Sequence, residues 1–551
     1  VIRINNYTIK IKSVLGDYCF SEIGRPTGIY WSRDRMVFAI ASDFEWLQCP
    51  ARELSLNNKF SYRVSVYNSE TLSLIKVFDN IDYPINYIDF NPDNTILAIA
   101  TGSFDGGYFF QGELLFWDIK NGRSNSHLCE SREVTYCKFN EDGTSLYFSL
   151  NPSCINDYPG SSFMDPSFLY ITDRFFDKVE IESLSEIEIN EEEIKVPFVK
   201  QDFQSISKEL HFLSNRLNLK YESRGHIWDI NMINETEIIA ISNNNLIEKW
   251  SFTEGGKSSY IEAPKNIRAV EIITLPEKEH CMINAIVHLP ESYVGRTSVL
   301  YKWEYKSNKL EEVIKKNYNV SLSINKDGLI LAREVSGCSK SKENIKDFLI
   351  DVDYKISKEL NLGYYGKFNH YLRVNGAEDF YFIQGTPASS HEKKWVCRLN
   401  PSSEKYSRLF PLEWDTMREA HFISDGGCYC NDPKGEALIL ASRFDDNNPF
   451  EFFSNNSIMT RRRLPNGEVM WNQSFNSQVT SLIWIKDYSL IAFALAEGKI
   501  GLVSSFNGEL IYLEDVKLNG RDTVIMSLSN YNDKIVAGTI DGRIICYEIN
   551  P

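Results

Sequence analysis

The sequence predicts an all-β repeat protein, on three observations. Short alternating apolar runs rich in Ile, Val, Tyr and Phe recur along the chain, and Asn/Asp/Gly turns separate them. The run–turn–run pattern returns at intervals of about 40 to 60 residues. The chain has 551 residues, too long for one ordinary core, so small cores added one after another are expected. Apolar residues make up 43% and aromatics 13%, which excludes disorder across the whole chain.

One segment sets the template. Pro84 to Phe90 alternates as a strand, Asn91-Pro92-Asp93-Asn94 forms a turn, and Thr95 to Ala100 forms a second strand. After a loop, Leu114-Leu115-Phe116-Trp117-Asp118 makes a third strand, ending in the polar turn Lys120-Asn121-Gly122. Partial copies follow. Val134 to Phe139 precedes Asn140-Glu141-Asp142-Gly143 and Leu146-Tyr147-Phe148. Ile227 to Ile230 precedes Ile238 to Ile241 and Ile247 to Trp250. Val320 to Ile324 precedes Asn325-Lys326-Asp327-Gly328 and Leu329-Ile330-Leu331. Val479 to Trp484 leads to Ser489–Phe493 and Lys499–Val503, and Val524 to Leu528 leads to Lys534–Ala537 and Gly542–Glu548. Weaker units start near Thr27, Ile267, Phe368 and Arg418, about ten in all.

The segment from Pro84 to Gly122 resembles a WD repeat, with the Trp-Asp dipeptide at Trp117-Asp118. The family's Gly-His pair appears once, at Gly225-His226; Trp228-Asp229 and Trp414-Asp415 fall outside the template position. Most units therefore lack the family's His-Ser-Asp-Trp hydrogen-bond network. The resemblance implies a β-propeller of about ten four-stranded blades, in one large ring or two smaller rings. It also implies a role in assembling protein complexes. The physical argument is independent of the family: each small sheet must stack on neighbours to bury both faces. The chain ends just after a third strand, at Tyr547 to Pro551, and Asn6 to Val14 alternates as a strand before the first full unit. The N-terminal strand is therefore expected to complete the last blade, removing an exposed edge.

Three segments are expected: N-terminal blades over 1–179, an acidic insert or partly helical connector over 180–224, and C-terminal blades over 225–551. Within the connector, Phe203, Ile206, Leu210 and Leu213 are spaced as on one face of a helix covering Gln201 to Leu213.

The formal charge of −16 opposes general nucleic-acid binding. The basic run Arg461-Arg462-Arg463 reads as a solvated strand end. Eleven scattered cysteines, with only Cys428 and Cys430 close together, suggest reduced structural thiols and a cytoplasmic location. No apolar run reaches the length of a membrane span, about 18 residues. Gly-x-Ser-x-Gly, Gly-x-x-x-x-Gly-Lys and His-Glu-x-x-His are absent. His280-Cys281, Asp351 with Asp353, and Asp445-Asp446 read as structural or solvated. No catalytic residue, metal site or cofactor is expected.

Connections between second and third strands are repeatedly long: Asp43 to Phe60, Gly102 to Gly112, Asn151 to Pro166, Ser336 to Asp347, Thr386 to Lys394 and Arg443 to Ser457. In the last two units they shrink to Glu497-Gly498 and Asp541-Gly542. Long equivalent loops suit a binding face. The aromatic residues expected to touch a protein partner there are Phe44, Trp46, Phe104, Tyr108, Phe109, Phe110, Tyr158, Phe163, Phe450, Phe452 and Phe453. For each, the alternative is that the ring tucks back to pin its own loop. The expected function is a non-catalytic scaffold or recognition subunit binding one or more proteins. The alternative is an enzyme or small-ligand binder using the central channel.

Overall fold

The computed structural model describes residues 7–44, 47–49, 52–54, 60–104, 110–128, 133–144, 146–150, 169–172, 189–192, 201–242, 245–264, 266–274, 278–287, 297–335, 347–363, 378–384, 395–402, 405–411, 423–431, 435–444 and 457–550. Among these the fold is all-β apart from one α-helix and short 3-10 turns. Nine four-stranded sheets, one three-stranded sheet and three two-stranded ribbons are present, all antiparallel, and in most sheets the strands follow sequence order. The chain divides into two compact units: a larger one of 1–17, 46–57 and 224–551, and a smaller one of 18–45 and 58–223.

The turn chemistry that marked the repeat is what joins first to second strands. Asn91 Oδ1 accepts the backbone N–H groups of Thr95 and Ile96, and Asp93 accepts from Thr95. Asp142 does the same for Thr144, and Asn325 for Asp327 and Leu329. Each turn needs one residue with a left-handed backbone, supplied by Asn94, Gly143 and Gly328. Asn-Pro-Asp-Asn and its variants therefore carry structural meaning, which is why the repeat survives there.

In the smaller unit the first sheet contains Pro26–Trp31, Val37–Asp43, Tyr62–Asn68 and Leu74–Phe78. The second contains Ile85–Phe90, Ile96–Thr101, Leu114–Asp118 and Ser124–Leu128. The third contains Val134–Phe139, Leu146–Leu150, Leu169–Thr172 and Ile189–Glu192. Strand Val37–Asp43 shows why both faces must be covered. Its Ala39 and Ala41 pack toward Ile88, Leu97, Ile99 and Trp117 of the second sheet. Its Phe38 and Ile40 point the other way, onto Ile206, Leu210 and Leu213 of the helix.

The helix spans Phe203–Arg216, starting within the expected 201–213 window and running three residues past its end. Asp202 caps it by accepting from the Ser205 N–H. Gln201, just before the cap, uses its side-chain amide as a strand would. It accepts from Ile29 N at 3.0 Å and donates to Ile29 O at 2.9 Å. Glu209 accepts from the Trp31 indole at 2.6 Å. Of the described residues in the expected 180–224 insert or connector, Ile189–Glu192 pairs with Leu169–Thr172 in the third sheet, and the helix covers the first sheet of the same unit.

In the larger unit seven sheets follow in order. The first six cover 227–262, 267–316, 319–360, 380–411, 423–475 and 479–515, the fourth with three described strands. The last combines Ile525–Tyr531, Lys534–Thr539 and Ile544–Asn550 with the N-terminal strand Thr8–Leu15. That strand pairs antiparallel with Ile544–Asn550, from Thr8 opposite Asn550 to Leu15 opposite Ile544. The expected completion of the last sheet by the N-terminal strand is therefore observed. Separate apolar clusters join the second sheet to the third, the third to the fourth, the fourth to the fifth, the fifth to the sixth and the sixth to the seventh.

A further regularity was not visible in the sequence. Seven of the ten described first strands carry a β-bulge near their start, at Pro26/Gly28, Ile85/Tyr87, Val134/Tyr136, Ile227/Asp229, Ala269/Glu271, Val479/Ser481 and Ile525/Ser527. A bulge re-aims the side chain that follows it. Asp229, Glu271 and Ser481, each just past its bulge, accept a backbone N–H from the next sheet, at Ile272 (2.9 Å), Leu322 (3.2 Å) and Leu528 (3.0 Å). From the last sheet, Ser527 Oγ donates to Ile227 O at 2.9 Å, and Ser529 Oγ accepts from Met232 N at 3.2 Å.

Candidate functional site

In an antiparallel four-stranded sheet, the first strand begins, the second ends and the third begins at one edge. All the second-to-third connections leave from that edge of their sheets. In the larger unit they join Val287 to Thr297, Val335 to Asp347, Gln384 to Trp395 and Phe444 to Ser457, against the short Ser242 to Asn245, Leu495 to Lys499 and Thr539 to Ile544. In the smaller unit, the connection after Ile96–Thr101 contains a short ribbon, Ser103–Phe104 with Phe110–Gln111.

Beneath that edge in the larger unit lies a set of buried charges. Arg224, just ahead of the first strand, sends two guanidinium nitrogens to Glu248 at 2.8 and 3.3 Å, and its Nε–H to the Gly542 carbonyl at 2.6 Å. Its guanidinium lies 4.5 Å over the Trp250 ring. Glu248 is fully buried and also accepts from Ser242, Asn245 and the Trp250 indole. Burial alone would raise its pKa, but the charges of Arg224 and Lys257 and these hydrogen bonds outweigh it and hold the carboxyl at about 2.

A second pair sits in the turn of the last sheet. Arg543 grips Asp541 with two bonds, at 3.0 and 2.6 Å, while Thr523 and Thr539 donate to the same carboxylate. Here too burial opposes ionisation, and the Arg543 charge and the hydrogen bonds prevail, leaving Asp541 at about 2. Arg543 also reaches Asp17, just after the N-terminal strand, at 3.4 Å. At the next seam, Arg268 bonds the His226 ring at 2.8 Å and stacks over Trp228 at 4.6 Å. A guanidinium only donates, so His226 Nε2 is the acceptor there. His226 thus belongs to the junction of two sheets. In the third sheet of the larger unit, Arg333 and Asp347 meet at 3.6 Å, and Asp347 accepts from Glu334 N and Leu362 N.

Chemically these are braces. Each carboxylate is enclosed by donors and ionised well below neutral or, for Asp347, raised by burial. No group of three or more His, Cys, Asp or Glu is placed to hold a metal ion among the described residues. Asp351 caps its own turn, accepting from Asp353 N and Lys355 N. His280 and Cys281 open a strand, with Cys281 fully buried. Cys428 and Cys430 lie on the strand Ile423–Asn431. Asp118 of the Trp-Asp pair accepts from Asn121 in the following turn, while Trp117 stacks on Phe78 at 5.3 Å.

The basic run requires a correction. Arg461 and Arg462 are 9% and 5% exposed, so only Arg463 ends the strand in solvent. Arg461 donates to the Ser505 carbonyl at 2.8 Å and lies 5.5 Å over Trp484, so the neighbouring sixth sheet covers what three consecutive charges suggested was a surface.

Of the eleven aromatic residues, Phe44 is 5% exposed, with Arg63 lying 5.6 Å over its ring, so it tucks inward. Phe104 and Phe110 are register partners across their two-residue ribbon. Trp46, Tyr108, Phe109, Tyr158, Phe163, Phe450, Phe452 and Phe453 lie outside the described residues. The charged seams were missed because Arg224, Glu248, Asp541 and Arg543 form no spacing motif.

No protein-family model matches the chain, and no curated protein matches it. No helix among the described residues is long and apolar enough to cross a membrane.

Proposed function

We propose that the chain is a WD-repeat-like β-propeller scaffold that binds a partner protein through the long second-to-third connections at one edge of its sheets. In this reading the seven sheets of the larger unit form one closed ring of blades, and the three sheets of the smaller unit form a separate partial set. The observation that carries it is the junction of the last sheet with the first. Ser527 and Ser529 bond Ile227 and Met232, and Arg224 bonds Gly542; Arg268–His226 and Asp229–Ile272 join the first sheet to the second, and an apolar cluster joins each later consecutive pair. A ring with no open side would present its long connections together on one face.

Free thiols at Cys19, Cys137, Cys281, Cys397 and Cys546 support a reducing, cytoplasmic setting.

The test is co-purification with the tagged full chain from its native cells. The comparison is with chains whose 105–109 or 445–456 segment is replaced by an Asn-Gly turn. The reading expects a stoichiometric protein that at least one replacement removes while the fold, judged by circular dichroism, is unchanged. A partner retained by every such variant would overturn it.

A further inference from the structure

The outermost strands of the larger unit's seven sheets differ in one respect. A strand at a sheet edge offers unpaired N–H and C=O groups, and Lys or Arg on it discourages pairing with another chain. Five of the seven carry such a residue: Lys257, Lys309 with Lys315 and Lys316, Lys358, Arg408, and Lys10 with Lys12. The two that do not are consecutive, Val469–Phe475 of the fifth sheet and Leu510–Asp515 of the sixth.

Exposed apolar side chains gather at the same place. Phe506 is 73% exposed, the most of any large apolar residue among those described, and Leu510, Leu513 and Met470 are 41%, 38% and 38% exposed. The turn that carries Phe506 is held firmly. Gly508 N donates to Ser504 O at 2.9 Å, and Phe506 N to Ser504 Oγ at 3.3 Å. The Ser505 carbonyl accepts from both the Trp471 indole (2.9 Å) and Arg461 (2.8 Å) of the fifth sheet. A Cβ on Gly508 would meet the Trp471 ring at 2.7 Å, so the turn lies directly on that indole. An exposed phenylalanine on a pinned turn has little ordering entropy left to lose on binding.

Charge specifies the chemistry of the occupant. Glu509, Glu514 and Asp515 flank the two leucines; Asp515 has Lys517 at 3.8 Å, whereas neither Glu509 nor Glu514 forms an ion pair among the described residues. We propose that the outer edge of Leu510–Asp515, with Phe506 and Met470 beside it, binds an extended segment of a partner protein carrying alternating apolar and basic side chains. The segment would add a strand to the sixth sheet, its backbone satisfying the open edge and its cations meeting the glutamates. This surface adjoins a third-to-fourth turn, at the opposite edge from the long connections, so it does not depend on them.

The probe is a fluorescein-labelled nonapeptide of alternating valine and lysine, titrated into the full chain and followed by anisotropy. A second peptide has glutamate in place of lysine. Saturable binding is expected, at least tenfold weaker for the glutamate peptide and at least tenfold weaker with Leu513→Lys or Phe506→Ser. Ile356→Lys, on the edge of the third sheet, should leave it unchanged. Amide exchange should slow across 510–515 with peptide bound. Absence of saturation, or equal affinity for the Leu513→Lys chain, would overturn the proposal. So would a dimer in sedimentation that Leu513→Lys dissociates, since a second copy would then be the occupant. Replacing the 445–456 connection should not alter peptide binding, so this surface and the loop face can fail separately.

Discussion

Arg224 donates its Nε–H to the carbonyl of Gly542 at 2.6 Å, across 318 positions of sequence. The same guanidinium neutralises the fully buried Glu248. Removing one member of a buried pair leaves the other charged and unmatched, at a cost of about 3–5 kcal/mol. Arg224→Met is expected to lower stability by roughly that amount, seen as a reduced urea midpoint. Arg224→Met with Glu248→Leu should recover part of the loss, and a double variant weaker than the sum of the singles would contradict the pairing.

Gly542 has φ +82°, and a Cβ there would meet Arg224 Cβ at 2.5 Å and Gly225 O at 2.7 Å. Gly520 has φ +75° with nothing within 4 Å. Gly520→Ala therefore isolates the left-handed backbone strain, about 1–2 kcal/mol. Gly542→Ala should cost clearly more, because the seam must open by a substantial fraction of an ångström. Equal urea midpoints for the two variants would mean the junction is loose.

Acid should destabilise the larger unit. Glu248 and Asp541, each held at about 2 in the fold, start from ordinary values of 4.5 and 3.8. Their contribution is complete above about pH 4.5 and is lost as pH falls toward 2, because the unfolded chain takes up protons first. Thermal unfolding between pH 5 and 2 should show this loss, and Asp541→Asn with Arg543→Met should flatten it.

Asp89 in the smaller unit behaves oppositely. Burial raises it to about 6 from 3.8, against the lowering effect of its bond from Phe139 N at 2.7 Å. Its ionisation disfavours the fold by an amount that grows from about pH 4 to 6 and is constant above. That amount is on the order of 3 kcal/mol. Exchange of the Phe139 amide should therefore slow as pH falls from 7 to 4, after correction for intrinsic rates. In Asp89→Asn this trend should vanish.

Deleting residues 1–15 removes the fourth strand of the last sheet and uncovers Ile545, Tyr547 and Ile549, all 3% exposed or less. The shortened chain should unfold at lower urea and self-associate through the bared edge. A monomer of unchanged midpoint would show that this strand adds nothing.

Much of the fold was legible because its signals are local. The turns at Asn91–Thr95 and Asn325–Leu329 close through bonds between residues two to five apart, so their residue types persist in every copy that uses them. The helix was legible from Ile206, Leu210 and Leu213, whose spacing matches the one face it buries. The Arg461–Arg463 run misled, because a charge run reads as surface unless a neighbouring sheet supplies carbonyls and an indole face to cover it. For Phe44 the structure shows the alternative stated for each loop aromatic, the ring tucked inward, with Arg63 lying over it.

By itself, the sequence determined that the chain is built of about ten small antiparallel sheets, and that the N-terminal strand has a place in the last of them. Alternation and turn chemistry act over a few residues and need no partner from afar. Only the tertiary structure decided which charges are buried and which sheets adjoin. It alone shows Arg224 seated on Gly542, Asp229 re-aimed by its bulge to Ile272, and one stretch of outer edge, Leu510–Asp515, left acidic and unprotected. Those relations join residues tens to hundreds of positions apart. Their energy comes from desolvated pairing across a contact between sheets, which leaves no period in the chain.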